Sequence, residues 1–196
     1  MENTLIIFDC FGVLCTEISP RWFRLRYSEE ETVRLKAEYY NSADMGYYNV
    51  YELLDKLEKG LKIPKDVIVK EWKELLTLNS ELIDFINTKL KGKYHIALLT
   101  NVIKDYVELL YGDKDFFKKI FDKTFNSWEY HLRKPMHEFY EVCVNAYKDM
   151  GIEKIYFIDD SQKNLVGIED LGIITIQYTN NKELFDTFKK YNIINK

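Results

Sequence analysis

Three short apolar runs, each stopping at a polar residue, constrain the fold of this chain more than any other feature. Thr4 to Phe8 ends at Asp9, Tyr94 to Leu99 ends at Thr100 and Asn101, and Lys154 to Ile158 ends at Asp159 and Asp160. Such runs, apolar on both alternating faces, read as strands covered on both sides. A weaker strand is expected at Lys123 to Asn126 and a further strand at Ile173 to Gln177. Helical periods fill the gaps. Leu82, Ile83, Ile86 and Leu90 form one stripe that Gly92 closes, and Val102 to Tyr111 forms another. Pro135 is expected to open a helix carrying Met136, Phe139, Cys143, Tyr147 and Met150, and a further helix is expected over about 162–171. Strand and helix in alternation imply right-handed crossovers. The expected fold class is therefore α/β, a doubly wound, Rossmann-like parallel sheet of five strands with helices on both faces.

The segment 17–78 has a different texture. Ser19-Pro20 resembles a helix start, and Ser28 followed by Glu31 fits a capping box. Val50, Leu53, Leu54, Leu57 and Leu61 recur at helical spacing, and Pro64 precedes a helix carrying Ile68, Trp72, Leu75 and Leu76. About four helices and no strand make a small bundle. The expected organisation is an α/β core over 1–16 and 79–196, interrupted by an α-helical insertion over 17–78.

Composition narrows the function classes. With 28 basic and 32 acidic residues among 196, the net charge is −4, and the basic residues are scattered. Nucleic acid and anionic membrane surfaces are poor partners for such a chain. No apolar run has the length of a membrane span, and the N-terminus lacks the basic start of a signal peptide. Cys10, Cys15 and Cys143 show no pairing or metal-binding spacing, so a reducing cytoplasm is the expected compartment.

Ligands of open parallel sheets bind beyond the carboxyl ends of the strands. The polar residues expected there are Asp9, Thr100, Asn101, Asp159 and Asp160. Clustered carboxylates repel one another unless a hard cation such as Mg²⁺ lies between them. With the cation present, one carboxylate can attack while others hold the metal, and a hydroxyl and a lysine can bind the oxygens of an anion. This chemistry points to phosphoryl transfer.

These residues also form an ordered set. Phe8-Asp9-Cys10-Phe11-Gly12-Val13-Leu14, Leu98-Leu99-Thr100-Asn101, Arg133-Lys134-Pro135 and Phe157-Ile158-Asp159-Asp160-Ser161, with Asn164 and Gly167 behind, resemble the four motifs of the haloacid dehalogenase-like (HAD) hydrolases. The resemblance implies Asp9 as nucleophile, Thr100 and Asn101 as contacts of the phosphoryl group, and Lys134 as the cation that steadies both. It further implies Mg²⁺ held by Asp9, the Phe11 carbonyl and Asp159, with Asp160 nearby or acting through water. The helical insertion is similar to the small cap of the subgroup containing many sugar-phosphate phosphatases. Asp44-Met45-Gly46 and the Val50 helix resemble cap sequences of bacterial sugar-1-phosphate phosphatases. The implied activity is hydrolysis of a small phosphorylated metabolite by a monomer or homodimer.

One position departs from the pattern. The second Asp that most such phosphatases carry two residues after the nucleophile is Phe11 here, which cannot transfer a proton. Three consequences are compatible with that change. The substrate has a good leaving group, a cap residue supplies the proton (Glu17, Asp44 and Tyr47 are the candidates), or the protein binds phospho-ligands with little or no turnover. The dehalogenase branch also carries an aromatic residue at this position, but it uses no metal and lacks the acidic pair. Among the histidines, His131 is nearest in sequence to Lys134, and of the cap tyrosines Tyr39, Tyr40, Tyr47, Tyr48 and Tyr51, some are expected to face a substrate.

Overall fold

In the computed structural model, which describes residues 2–194, side chains alternate along each central strand between two buried layers. The strands are β1 (Thr4–Phe8), β2 (His95–Thr100), β3 (Lys123–Asn126), β4 (Lys154–Asp159) and β5 (Ile173–Gln177). The helices are α1 (Ile18–Arg24), α2 (Glu29–Asp44), α3 (Val50–Leu61), α4 (Lys65–Leu75), α5 (Ser80–Phe85), α6 (Tyr106–Tyr111), α7 (Ser127–Tyr130), α8 (His137–Asn145) and α9 (Asn181–Lys190). All strand pairs are parallel, in the order β3-β2-β1-β4-β5. Ile6, Phe8, Ile96, Leu98 and Ile158 face one layer with Leu82, Ile86, Leu184 and Phe188 from α5, the turn that extends it, and α9. Leu5, Ile7, Ala97, Leu99 and Phe157 face the other, against Phe139, Tyr140 and Cys143 of α8. The doubly wound reading is therefore the observed architecture.

Register decides what meets at the sheet edge. Phe8 pairs with Leu98 on one side and with Ile158 on the other. The chain leaving β1, β2 and β4 therefore emerges at one level, and the order reverses between β1 and β4, where α/β sheets build their ligand crevices.

Helices α1–α4 follow β1 in the chain and precede α5. Their buried residues include Trp22, Phe23, Leu35, Tyr40, Leu53, Leu57, Ile68 and Trp72. The Trp22 and Trp72 rings meet edge-on at 5.9 Å, and Trp72 meets Tyr106 at 5.3 Å. Val102, Ile103, Tyr106 and Leu110 complete this cluster, so the segment that follows β2 closes the bundle, with Phe11 and Trp128 packed beside it. The Ser28–Glu31 capping box forms as expected, and Asn49 and Glu52 make a second one at α3.

Several local expectations need correction. The first cap helix starts at Ile18 with Glu17 in the capping position, so Ser19-Pro20 lies inside its first turn. The helix expected from Val102 begins at Tyr106, because the Val102 N–H donates to Ser127 Oγ and Asp105 takes a left-handed φ of 67°. Pro135 does not open α8, which starts at His137 after a turn in which Met136 N–H donates to the Arg133 carbonyl. The helix expected over 162–171 is two short 3-10 turns, Gln162–Asn164 and Glu169–Leu171, parted at Gly167. Here the Asn164 side chain is drawn onto Asp159.

Candidate active site

A buried lysine joins two of the strand ends. Lys134 Nζ lies 2.6 Å from Asp9 Oδ1 and 2.6 Å from Asp159 Oδ2, with 1% of its side chain exposed. Its backbone is fixed by Asn101, whose Oδ1 accepts the Lys134 N–H at 2.8 Å while Nδ2 donates to the Lys134 carbonyl at 3.0 Å. Asp159 is fully buried and saturated. It accepts from Asn164 Nδ2 at 3.0 and 3.1 Å and from the Ser161 N–H at 2.8 Å, besides Lys134. Asp9 also takes the Cys10 N–H at 2.6 Å.

Asp160 sits differently. Its carboxylate lies over Gly12, where φ is +94° and an added Cβ would stand 2.3 Å from Asp160 Oδ2. Only a glycine admits both that dihedral and that approach. One ligand atom each from Asp9, Asp159 and Asp160 can be chosen so that all lie within 4.8 Å of one another. Three carboxylates against a single ammonium leave two negative charges in excess.

The electrostatics follow from that imbalance. Burial pushes the Asp9 carboxyl well above the usual range, with Lys134 opposing and Asp159 adding to the rise. Burial, then the Asp159 charge, pushes Asp160 up to about 6. Burial works against the Lys134 charge, but Asp9 and Asp159 outweigh it and hold the ammonium above its ordinary value. Oxygen ligands, crowded and short of positive charge, suit a hard divalent cation such as Mg²⁺.

Beside these groups lies a cavity of about 140 Å³. Asp9, Phe11, Asn101, Arg133, Lys134 and Asp160 line it from the core, Tyr106 from the segment after β2, and Glu17, Lys36, Tyr40 and Asp44 from the helical bundle and the residue ahead of it. The Tyr40 and Tyr106 hydroxyls, Arg133 Nε and Asn164 Oδ1 are buried and make no hydrogen bond within the described residues. A ligand with several oxygens would satisfy them.

The sequence expectations fare unevenly. Asp9, Phe11, Asn101, Lys134 and Asp160 all line the cavity, whereas Thr100 and Asp159 are buried just behind it. Asp160 lines the cavity, while Asp159, buried behind it, bonds Lys134 and still has an oxygen within 4.8 Å of ligand atoms of Asp9 and Asp160. Ser161 holds the capping position of the following turn without a side-chain bond to it, and its N–H donates to Asp159. Tyr47 is 66% exposed and stacks on His131, whose Nδ1 meets the Met45 carbonyl at 2.8 Å, and neither lines the cavity. Of the cap tyrosines only Tyr40 reaches the cavity. Sequence reasoning missed Arg133 and Ser127. The only signal for Arg133 was its place beside Lys134, and Ser127 had none.

A five-stranded parallel sheet in this order, with a helical bundle following β1 and the loop after Asp9, is decisive. The chain has the HAD fold. Among solved structures, a HAD family enzyme from Bacteroides thetaiotaomicron superposes with a TM-score of 0.72 at 23% identity, covering 93% of this chain and 98% of its own. That enzyme is also known in complex with magnesium and inorganic phosphate, with a TM-score of 0.71. A predicted HAD-like family hydrolase from Porphyromonas gingivalis superposes at 0.74 with 21% identity, over 96% of this chain and 97% of that one. L-2-haloacid dehalogenase from Xanthobacter autotrophicus, with chloropropionic acid covalently bound, gives 0.59 at 16% identity, over 97% and 84%. No family profile and no curated protein sequence matches the chain. At these identities the HAD fold is common property and the substrate is not.

Proposed function

We propose that this HAD-fold chain is a Mg²⁺-dependent hydrolase of small phosphomonoesters that works through an aspartyl-phosphate on Asp9. The observation that carries the reading is the acidic cluster: Asp9, Asp159 and Asp160 offer ligand atoms within 4.8 Å of one another, and among the described residues Lys134 alone bonds Asp9 and Asp159 as a cation. Asp9, Asp160 and the Phe11 carbonyl would hold the metal, with Asp159 contributing directly or by fixing Lys134. Bound there, Mg²⁺ would neutralise the carboxylates and the oxygens of an incoming phosphoryl group.

The chain's own residues do the rest. Lys134 orients the Asp9 carboxylate and favours its ionised form, in which an oxygen attacks phosphorus. The same ammonium, with Thr100 and the Asn101 amide behind it, balances charge on the equatorial oxygens. Phe11 and the bundle residues wall the cavity from bulk water. Water then cleaves the aspartyl-phosphate and returns Asp9. Phosphate release from a panel of phosphorylated metabolites with Mg²⁺ tests the reading: turnover is expected, and Asp9→Asn should reduce it to background. Release that survives in Asp9→Asn would overturn it, as would tight binding without release across the panel.

A second reading, metal-independent 2-haloacid dehalogenation, is favoured by Phe11 at the position where that branch is aromatic and by the overlay on the Xanthobacter enzyme. It leaves Asp160 without a purpose. Chloride release from 2-chloropropionate in EDTA is its test.

A further inference from the structure

We propose that Asp44, at the end of α2, is the general acid–base of this site, doing from the helical bundle what Phe11 cannot do from the loop. The proposal rests on the phosphatase reading above. Phe11 is packed against Tyr106 with ring centres 5.9 Å apart and carries no titratable proton. A nucleophile at Asp9 expels its leaving group in line, on the far side of phosphorus. The helical bundle contributes Asp44 to the same cavity that Asp9 lines, together with Lys36 and Tyr40.

Of the three candidate donors, Asp44 alone has a carboxyl that is both inside the cavity and uncommitted. Glu17 is bonded to Lys36, and Tyr47 points outward. The Asp44 carboxylate makes no hydrogen bond among the described residues, and its nearest cation, Arg133 Nη2, stands 4.0 Å away. Its backbone is anchored to the core: Ser127 Oγ donates to the Asp44 carbonyl, and the Trp128 carbonyl fills the space beside Gly46, where a Cβ would lie 2.4 Å from it. The charged and titratable groups around Asp44 are Arg133 and Lys134 ahead of α8, Lys36 and Tyr40 on α2, Glu17 before α1, Tyr48 after α2 and Tyr106 on α6. Burial outweighs the cations among them and sets the Asp44 carboxyl at about 6, where acid and base forms both exist near neutrality.

The step balances. As Asp9 Oδ bonds to phosphorus, the bond from phosphorus to the leaving oxygen breaks, its electron pair stays on that oxygen, and the Asp44 proton joins it to release the alcohol. Asp44, now a carboxylate, takes a proton from the water that attacks the aspartyl-phosphate. Inorganic phosphate leaves, and both carboxyls return to their starting states. Tyr40, Tyr106 and Arg133 Nε offer the unpartnered donors that would seat the oxygens of such an alcohol.

The test compares a poor with a good leaving group, glycerol phosphate and p-nitrophenyl phosphate, with Mg²⁺ from pH 5 to 9. Asp44→Asn should lose about 10²–10⁴-fold in kcat/KM on glycerol phosphate and less than about tenfold on p-nitrophenyl phosphate, which needs no protonation. Asp44→Glu should recover part of the loss. In the unmodified protein, the rate ratio of the two substrates should fall as pH rises above about 6, and this readout stands even if Asp44→Asn does not fold. Taking the ratio cancels the titration of Asp9 and Asp160, which both substrates share. Equal losses on both substrates, or a ratio flat with pH, would overturn Asp44 as the acid while leaving the phosphatase reading intact. Failure of the unmodified protein on both substrates and on the metabolite panel would sink the two readings together.

Discussion

Lys134 shows how one side chain ties stability to chemistry. Its ammonium is buried between Asp9 and Asp159, and no other cation bonds either carboxylate among the described residues. Replacing it by Met keeps the volume and strands two buried carboxylates, a situation that costs about 3–5 kcal/mol. Urea unfolding of Lys134→Met should show a loss of that order, and added Mg²⁺ should restore part of it. A loss under about 1 kcal/mol would mean the carboxylates are already neutral in the folded protein. At this scale Asp9, Lys134 and the acidic pair were legible because each closes a strand or opens a helix in a fixed order. Asp44 was readable only as one of three options, since nothing in its neighbourhood in the chain says that Arg133 stands 4.0 Å from it.

At the scale of elements, the seam between α2 and α7 governs where the bundle sits on the sheet. Gly46 has φ of +76°, and a Cβ there would meet the Trp128 carbonyl at 2.4 Å, a backbone atom that cannot swing aside. Gly46→Ala should therefore cost more than about 1 kcal/mol, lowering the melting temperature by about 2–4 °C or more. It should also reduce turnover of poor leaving groups more than good ones by displacing Asp44. A melting curve and activity ratio equal to those of the parent chain would show that the seam does not position Asp44. The strands were predicted to within a residue because buried runs are short and bounded. The helices after β2 and β4 were overextended, because Ser127, 25 residues further on, takes the Val102 N–H, and Asp159 at the end of β4 takes the Ser161 N–H and the Asn164 side chain.

For the whole molecule, the buried acids set the response to pH. Asp44 and Asp160 are both raised to about 6, whereas an unfolded aspartate ionises near 3.9. Between about pH 4 and 6 the folded chain holds more protons than the unfolded one, so this stability is complete below about 4 and is lost as pH climbs through 6. For Asp44 the loss is on the order of 2 kcal/mol, or about 4–8 °C. The exposed carboxylates held low by surface partners, such as Asp113 and Asp186, act below that window. Mg²⁺ binds the ionised cluster, so it should raise the melting temperature more at pH 7.5 than at pH 4.5. Melts across this range check both statements. A temperature constant from pH 4 to 6.5, or an equal Mg²⁺ shift at both ends, would contradict them.

The amino-acid order alone determined the sheet, the presence of a helical insertion behind the first strand, and the four segments that supply the site, because burial on both faces and helical period are local patterns. Which acids line the cavity, which hold the lysine, and which bundle residues share that cavity with Asp9 were decided by tertiary packing. Those assignments depend on distances of a few ångströms between groups dozens of residues apart. Desolvation and charge pairing exist only once the chain has closed around them.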